Sequence, residues 1–312
     1  MTLPEEDGDS KHTRAGYVAI IGLPNSGKSS LLNQLVEQKL SIVTPTAQTT
    51  RERVVGIDTR EDVQAIYLDT PGLLDPKYLL QESMLHSVMA AVREADLVLW
   101  VVDAYSKLPA VPEPIRDMLS ALGQSRTIAV LNKADVAVPG QMDSASIWVR
   151  NELNADAVAV SARTGKGIEE LRRRIGASLP LSPFLYPEDE LAIQSTRFFV
   201  AELIREAVFE LYSQEIPFSV AIKIDEFRET GDPVYIRATI FVERQTQKAI
   251  LIGRQGTAMK RLGRDARGKI EAFLQTRVYL DLWVKVLPRW RMDPLVLQRL
   301  GYSLPSRSTP HA

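Results

Sequence analysis

The sequence contains no cysteine, so it cannot form a disulfide bond, and this composition favours a cytoplasmic location. Its three histidines, His12, His86 and His311, lie far apart, which argues against a zinc or imidazole-based site. The formal net charge is −1, so any surface that attracts nucleic acid must be a local one. Apolar runs are too short for a membrane-spanning helix, and the polar start MTLPEEDGDSKHTR has no signal-peptide core. We therefore expect a soluble protein.

The first half of the chain alternates short apolar runs with helical patterns, and 312 residues is long for a single hydrophobic core. The runs are YVAIIG, RVVGID, AIYLDT, DLVLWVVD, TIAVLN and AVAVSA, within residues 17–178. Their continuous hydrophobicity predicts strands buried on both faces, which is typical of an α/β fold with a mostly parallel sheet between helices. Residues 179–190, LPLSPFLYPEDE, contain three prolines and an acidic cluster and indicate a linker.

The second half of the chain has a different hydrophobic pattern. Apolar residues recur at helical spacing at Phe199, Leu203, Ile204, Ala207, Val208 and Leu211. The runs FSVAIKID and VYIRATIFVE then alternate apolar and polar residues, which predicts strands with one solvated face. Two helical stretches and a last strand, RVYLDLWVKV, complete the order helix, strand, strand, helix, helix, strand. This order predicts a second, α+β domain.

A phosphate-binding loop is indicated by GLPNSGKS at 22–29, which fits G-x-x-x-x-G-K-[ST] between a strand and a helix. Its glycines let backbone N–H groups surround phosphate oxygens at a helix N-terminus, Lys28 adds a positive charge, and Ser29 offers a hydroxyl to Mg²⁺. The alternative is a glycine-rich turn that binds nothing. The predicted nucleotide contacts in this loop are Gly22, Asn25, Ser26, Gly27, Lys28, Ser29 and Ser30.

Base recognition is predicted at NKAD, residues 132–135, which ends the strand run TIAVLN. The Asp135 carboxylate can accept both N1–H and the exocyclic amine of guanine, and adenine offers no such adjacent pair of donors. By itself NKAD could be a helix cap, but it stands in register with the phosphate loop. We assign Asn132, Lys133 and Asp135 to the nucleotide, together with Ser161 and Ala162 of SAR at 161–163, which can supply a backbone contact.

Two further segments predict contacts to Mg²⁺ and to the γ-phosphate. In DTPG at 69–72, Asp69 suits Mg²⁺ and the Gly72 N–H suits the phosphate, and AQTTR offers Thr49 or Thr50 as a metal-binding threonine. Five elements thus follow the order found in G-domain GTPases, and residues 17–178 resemble that family. The resemblance implies binding of GTP and GDP with Mg²⁺ held by Ser29, Asp69 and one of the two threonines.

One position departs from the Ras-like pattern, because Leu73 stands where a water-orienting glutamine follows the third motif. We therefore expect slow intrinsic hydrolysis, with Lys28, Thr50, Gly72 and Asn25 as the catalytic groups. Asn25 resembles the asparagine of GTPases that use a K⁺ ion near the phosphates. The alternative is a polar loop residue that bonds its own backbone.

A local basic patch appears between Arg244 and Lys269, with eight basic residues against one acid. It contains GRQG between two helical stretches, behind two alternating strands, and this arrangement resembles a type II KH domain, whose GXXG loop clamps single-stranded RNA by its backbone. The alternative is a helix cap on a solvated basic face. The predicted RNA contacts are Lys248, Gly253, Arg254, Gln255, Gly256, Lys260, Arg261 and Arg264.

A G domain followed by a linker and a type II KH domain resembles the Era family of GTPases, through AQTTR, DTPG, LYPEDE, ILIGRQG and VYLDLWVKV. The resemblance implies a switch that binds the 3′ region of small-subunit ribosomal RNA and assists assembly of the 30S subunit. The alternative is a signalling or cell-cycle GTPase whose KH domain reads another RNA. We expect a monomer that binds no DNA, in the cytoplasm, with peripheral contact at the inner membrane left open.

The expected boundaries follow from these motifs and from the composition of the ends. They are a disordered tail over 1–15, a G domain over 16–178, a linker over 179–194, a KH domain over 195–290 and a C-terminal extension and tail over 291–312.

Overall fold

The first domain is built on one six-stranded sheet. The structure, a computed structural model, describes residues 13–44, 46, 48–106, 108, 115–117 and 126–305. The strands are β1 (Arg14–Gly22), β2 (Val54–Arg60), β3 (Val63–Asp69), β4 (Leu97–Asp103), β5 (Thr127–Asn132) and β6 (Asp156–Ala159). Their order is β2-β3-β1-β4-β5-β6, and only the β2–β3 pairing is antiparallel. The predicted mostly parallel sheet is confirmed.

Helices cover both faces of this sheet, which explains why the inner strands β4 and β5 are buried along almost their whole length. The helices are α1 (Lys28–Val36), α2 (Leu79–Glu94), α3 (Pro139–Leu153) and α4 (Ile168–Ser178). One core joins Ile20 to helices α1 and α4, and the other joins Ile21 to α2 and α3. The carboxyl ends of β1, β3 and β5 meet at one edge, and in such sheets this edge is the usual ligand site.

The second domain has a three-stranded sheet with helices on one face. Its elements are α5 (Thr196–Leu211), α6 (Ile216–Ser219), β7 (Ala221–Arg228), β8 (Val234–Val242), α7 (Gln245–Ile252), α8 (Thr257–Leu274) and β9 (Val278–Val286). The order is β7-β8-β9, with β7 antiparallel and β9 parallel to β8. The predicted order of elements is confirmed, with the short α6 as an addition.

The strand predicted to start at residue 218 begins later, at Ala221. Residues 216–219 instead form the single turn α6, with Pro217 in the first turn. Proline has no N–H to donate to a sheet, and its fixed φ suits a helix start, so this position opposes strand pairing. The alternation predicted in β8 is confirmed, because every second residue from Val234 to Val242 is buried against the helices.

The segment between the domains is bonded along the G domain. The Ile57 amide donates to the Leu191 carbonyl at 2.9 Å, and the Gln64 side-chain oxygen accepts the amides of Leu185 and Tyr186 at 2.8 and 3.0 Å. Strand β1 begins at Arg14, inside the segment expected to be a tail, and residues 1–12 lie outside the described part of the chain. The segment expected to be a linker therefore follows a defined path along the G domain.

The C-terminal segment packs between the two domains. A turn at Trp290–Met292 and helix α9 (Pro294–Arg299) carry Trp290 and Tyr302 onto α2 of the G domain. The buried Trp290 indole donates to the Ser219 carbonyl of the second domain at 2.9 Å. Residues 306–312 of the expected tail lie outside the described residues. Within the described ranges, no helix has the length and hydropathy needed to cross a membrane.

Candidate nucleotide and RNA sites

The glycines of the phosphate loop are required by close backbone approach. Gly27 has φ +92°, and a Cβ there would lie 2.2 Å from Nδ2 of Asn132. Gly22 has φ +150°, and a Cβ there would lie 2.3 Å from the Val101 carbonyl oxygen. Helix α1 starts at Lys28, directly after the loop, so its first N–H groups point toward the loop. The backbone therefore forms a cradle suited to phosphate.

Lys28 is held inside this loop. Its ammonium donates to the carbonyls of Leu23 at 2.8 Å and Gly22 at 3.1 Å. Burial lowers the pKa of Lys28 to about 8, and the nearby Asp69 carboxylate opposes that shift. A bound phosphate would favour the charged form of the lysine, so anion binding and protonation of Lys28 support each other.

Ser29, Thr50 and Asp69 come together beside the loop, and they form an all-oxygen donor set. The Ser29 hydroxyl lies 2.8 Å from both the Thr50 hydroxyl and Asp69 Oδ2. Asp69 Oδ1 is buried and accepts no hydrogen bond. Thr49 is not part of this group, because its hydroxyl bonds Thr44 and the Thr46 carbonyl within its own loop. An unsatisfied carboxylate oxygen among hydroxyls fits Mg²⁺, which prefers oxygen ligands.

Ser41 is a member of this cluster that the sequence motifs do not reveal. Its hydroxyl donates to Asp69 Oδ2 at 2.9 Å, and the side chain is buried. Burial raises the pKa of Asp69, while Lys28 and the surrounding hydroxyls oppose that shift. Ser41 lies outside every motif of the sequence, so only the folded position identifies this contact.

Gly72 and Leu73 follow β3, and they differ in their surroundings: Gly72 lies against the phosphate loop, whereas the Leu73 side chain lies in the core. A Cβ on Gly72 would lie 2.8 Å from the Pro24 backbone, so only glycine allows the third motif to lie against the phosphate loop. The Leu73 side chain is buried in the core of the sheet, and its amide donates to the Gly22 carbonyl at 3.0 Å. Leu73 therefore offers no polar group to an attacking water.

Asn132, in NKAD, is hydrogen-bonded to both the phosphate loop and the SAR loop. Its Nδ2 donates to the Ser26 carbonyl at 2.8 Å, and its Oδ1 accepts the Ala162 amide at 3.0 Å. The Ala162 amide proposed for the base is thus engaged by Asn132. Asp135 follows at the same edge, and Oδ1 accepts the Ser161 hydroxyl at 2.6 Å. This hydroxyl and Arg163 lower the pKa of Asp135, so the carboxylate is ionised.

Lys133 is positioned by a residue that the motifs do not contain. Its φ is +65°, and its ammonium donates to Asp103 Oδ2 at 2.7 Å. Asp103 ends β4 and also accepts the Ser106 hydroxyl. Together with the phosphate loop and the Thr50 segment, Lys133 lines a cavity of about 390 Å³ that also contains Asn25, Ser30 and Gly72.

The GRQG turn joins α7 to α8 in a backbone shape that needs its glycines. Gly253 has φ +70°, and a Cβ there would lie 2.6 Å from the Ala258 Cβ. Gly256 has φ +75° with open space around it, and Gln255 is also left-handed at φ +51°. Arg254 and Gln255 are exposed at the tip. The turn thus presents a bare backbone and one cation to solvent, as a KH clamp requires.

The basic patch divides into two groups. Lys260, Arg261 and Arg264 are exposed on α8, on the side away from the buried Leu262 and Ala266. Lys248 is half-buried on α7 beside the turn. Lys269, in contrast, is engaged by Glu206 and Glu210 at 3.2 and 2.9 Å. Lys269 is therefore less available to an RNA backbone than the exposed cations of the patch, which also include Arg244 and Arg267.

Comparison with known proteins identifies both domains. Residues 17–133 match the family described as 50S ribosome-binding GTPase, and residues 215–291 match the KH domain. The chain is 41% identical to the GTPase ERA-like chloroplastic protein of Oryza sativa, over 93% of this chain and 69% of the relative. It is 39% identical to GTPase Era of Pseudomonas putida, over 94% of this chain and 98% of the relative. The chain belongs to the Era GTPase family.

Solved Era structures agree with the fold across both domains. An Aquifex aeolicus Era variant bound to GDP·AlF4⁻ has a TM-score of 0.86 and 36% identity, covering 94% of this chain and all of its own. Era in complex with MgGDPNP and nucleotides 1506–1542 of 16S ribosomal RNA has a TM-score of 0.87 and 37% identity, with the same coverage. The predicted Era resemblance, GTPase activity and use of GTP, GDP and Mg²⁺ are confirmed.

The Era assignment gives Asp135 a testable role in base selection. Replacing Asp135 by Asn turns one acceptor into a donor, so GTP should bind about 10- to 150-fold more weakly, the loss of one hydrogen bond to a charged group. Xanthosine triphosphate should become the preferred nucleotide, because C2 of xanthine carries a carbonyl. Nucleotide titrations with Asp62→Asn, an exposed aspartate in the turn between β2 and β3, provide the control. A variant that still prefers GTP contradicts the assignment.

Proposed function

We propose that the protein is a GTP-controlled switch that binds the 3′ region of small-subunit ribosomal RNA through its KH domain and assists 30S assembly. The Era complex with 16S nucleotides supports this RNA over others. The family that the G domain matches is described as 50S ribosome-binding. That match covers only residues 17–133 and not the RNA-binding domain. The alternative, a signalling GTPase whose KH domain reads another RNA, predicts crosslinks outside ribosomal RNA in cells.

The contacts of Arg51 are the observation that supports the proposal best, because they connect the candidate nucleotide site to the KH domain. It follows Thr50 directly, yet its guanidinium donates to the carbonyls of Val220 at 2.6 Å and Pro217 at 2.9 Å in the KH domain. The same group lies 5.9 Å from the centre of the Trp290 ring. A displacement of Thr50 therefore moves the next residue, Arg51, whose side chain contacts the KH domain.

The nucleotide state can act on Thr50 through Mg²⁺. We propose Thr50 rather than Thr49 as the metal-binding threonine, because Thr50 lies with Ser29 and Asp69. When bound, Mg²⁺ would neutralise phosphate charge during hydrolysis. With GTP bound, Thr50 and the Gly72 amide are held near the γ-phosphate, and loss of that phosphate releases both. Arg51 then carries the change to Pro217 and Val220.

Replacing Arg51 by Met should uncouple the two sites, because it removes both hydrogen bonds while keeping most of the buried volume. Effector coupling usually changes affinity by about 5- to 150-fold. In the wild type we expect RNA affinity to differ between the GDP and GDPNP forms by a factor in this range. In Arg51→Met the ratio should fall toward one. RNA titration by fluorescence anisotropy in each nucleotide gives the ratio.

Arg53→Met is the matched control for this variant. Arg53 lies two residues further along the same segment but forms its ion pair with Glu94 inside the G domain. It should keep the wild-type ratio, and both variants should bind GDP with unchanged affinity. A full nucleotide effect on RNA binding in folded Arg51→Met would show that the coupling runs elsewhere.

We also propose that Asn25 holds a K⁺ ion that offsets charge near the transferred phosphate. Asn25 has φ +62° and lines the nucleotide cavity beside Gln48 and Thr49. Because Leu73 is buried in the core, another group has to stabilise the developing charge.

Hydrolysis should therefore be slower in NaCl than in KCl for the wild type, while Asn25→Ala should be slow in both salts. Phosphate release at matched ionic strength provides the measurement, with the exposed Asn151→Ala as a control that keeps the K⁺ effect. Equal wild-type rates in the two salts would contradict K⁺ use.

The GRQG turn can be tested without changing the nucleotide site. In the double variant Arg254→Asp with Gln255→Asp, two carboxylates face the RNA backbone while both glycines keep the turn. RNA affinity should fall by more than about ten-fold, since at least one charged contact becomes repulsive. The salt dependence of the residual binding should flatten by about one unit of log–log slope for each lost phosphate contact.

The double variant Gln275→Asp with Arg277→Asp is the control. It makes the same charge change as the GRQG variant, at two exposed positions beyond the other end of α8. It should bind RNA nearly as well as the wild type at matched salt. Wild-type affinity in the GRQG variant would place the RNA on another surface.

Because ribosomal subunits assemble in the cytoplasm, we place the protein there. Peripheral contact at the inner membrane is the alternative, and cell fractionation with and without salt washing separates the two.

A further inference from the structure

The carboxylate assigned to guanine already has partners within the protein. Asp135 Oδ2 accepts two N–H groups of Arg163, from Nε at 3.0 Å and from Nη2 at 2.5 Å. Oδ1 accepts the Ser161 hydroxyl. Arg163 is the third residue of the SAR motif, one position after the residues predicted to contact nucleotide.

The arginine and the base compete for the same atoms. A carboxylate oxygen has about two lone-pair sites, and the two guanidinium N–H groups fill those of Oδ2. Guanine brings two adjacent donors, N1–H and the exocyclic amine, and these require both oxygens of Asp135. The base therefore displaces at least one Arg163 contact when it binds.

The two partners differ in how easily they move. The Asp135 side chain is 12% exposed and is held by Ser161, whereas the Arg163 side chain is 73% exposed. Its displacement therefore returns a guanidinium to water, and exposed ion pairs of this kind are weak. Arg163 can therefore weaken the binding of the base to Asp135 but cannot prevent it.

We propose that Arg163 is a competing ligand of Asp135, which lowers affinity for guanine nucleotides and selectivity for guanine over hypoxanthine. Hypoxanthine lacks the 2-amino group and donates only through N1–H. It needs one carboxylate oxygen and can leave the Arg163 contacts on Oδ2 in place. The competition therefore weakens the guanine complex more than the hypoxanthine complex. This inference rests on the proposed assignment of Asp135 to the base.

Replacing Arg163 by Ala should increase affinity for GDP by about two- to six-fold, the factor by which an exposed ion pair depletes the binding-competent state. Affinity for IDP should change less, so the ratio of the IDP to the GDP dissociation constant should rise. Arg163→Lys, which keeps the charge but not the paired N–H groups, should fall between the wild type and Arg163→Ala. Calorimetric titration of each nucleotide-free protein with GDP and with IDP gives the dissociation constants.

Arg173→Ala is the matched control, because Arg173 is 70% exposed and paired with Glu170 on α4. It should leave both nucleotide affinities unchanged. Weaker GDP binding in Arg163→Ala would show that the arginine supports the bound base, and unchanged binding would show that it has no role. Either result overturns the proposal.

A double-variant comparison separates this proposal from the assignment on which it rests. In the Asp135→Asn background the carboxylate is gone, so adding Arg163→Ala should leave XDP affinity unchanged. If Asp135→Asn does not acquire a preference for xanthine nucleotides, the base assignment fails, whatever Arg163→Ala does. An effect of Arg163→Ala on XDP in that background would show that the arginine acts through another group, and that also overturns the proposal.

Discussion

A guanidinium buried between the two domains constrains how they can separate. Burial lowers the pKa of Arg51, and two KH carbonyls and the face of Trp290 supply its compensation. Removing these partners while the charge stays buried would be costly. The domains can therefore part only if Arg51 reaches water, and this makes the interface sensitive to small movements of the segment that carries Thr50.

The rest of that interface is also rich in charge. Lys39 of the G domain bonds the buried Glu206 at 2.7 Å, and Lys269 bonds the same carboxylate from α8. Burial raises the pKa of Glu52 to about 7, and repulsion from Glu202 adds to the shift. The exposed Lys39 ammonium can return to water, while Lys269 keeps the buried Glu206 paired. Such an interface suits domains that change their relative placement better than a purely apolar contact would.

Four of the five motifs could be placed at one end of the sheet, because they directly follow β1, β3, β5 and β6, and most of these strands are visible as continuous apolar runs. The fifth, AQTTR, precedes β2 instead. Sequence could not separate Thr49 from Thr50, since neighbouring threonines look alike until the backbone turns one outward. It also missed Ser41 and Asp103, which contact the site from positions without a motif. Arg51 does belong to a motif, AQTTR, but its contacts could not be predicted, because its partners lie far along the chain.

The candidate site has one part whose loops are joined by hydrogen bonds and one part that is attached to it by a hydroxyl contact. Asn132 joins the phosphate loop to the SAR loop by two hydrogen bonds from one side chain, so these loops form a single unit with β5. Thr50 is held there by a hydroxyl contact to Ser29, which a ligand at the metal position can replace. In the proposed switch, the base and the first phosphates would contact this joined unit, whereas the third phosphate would contact the segment that carries Thr50. In that switch, the third phosphate alone would act on the position of Arg51 through the neighbouring Thr50.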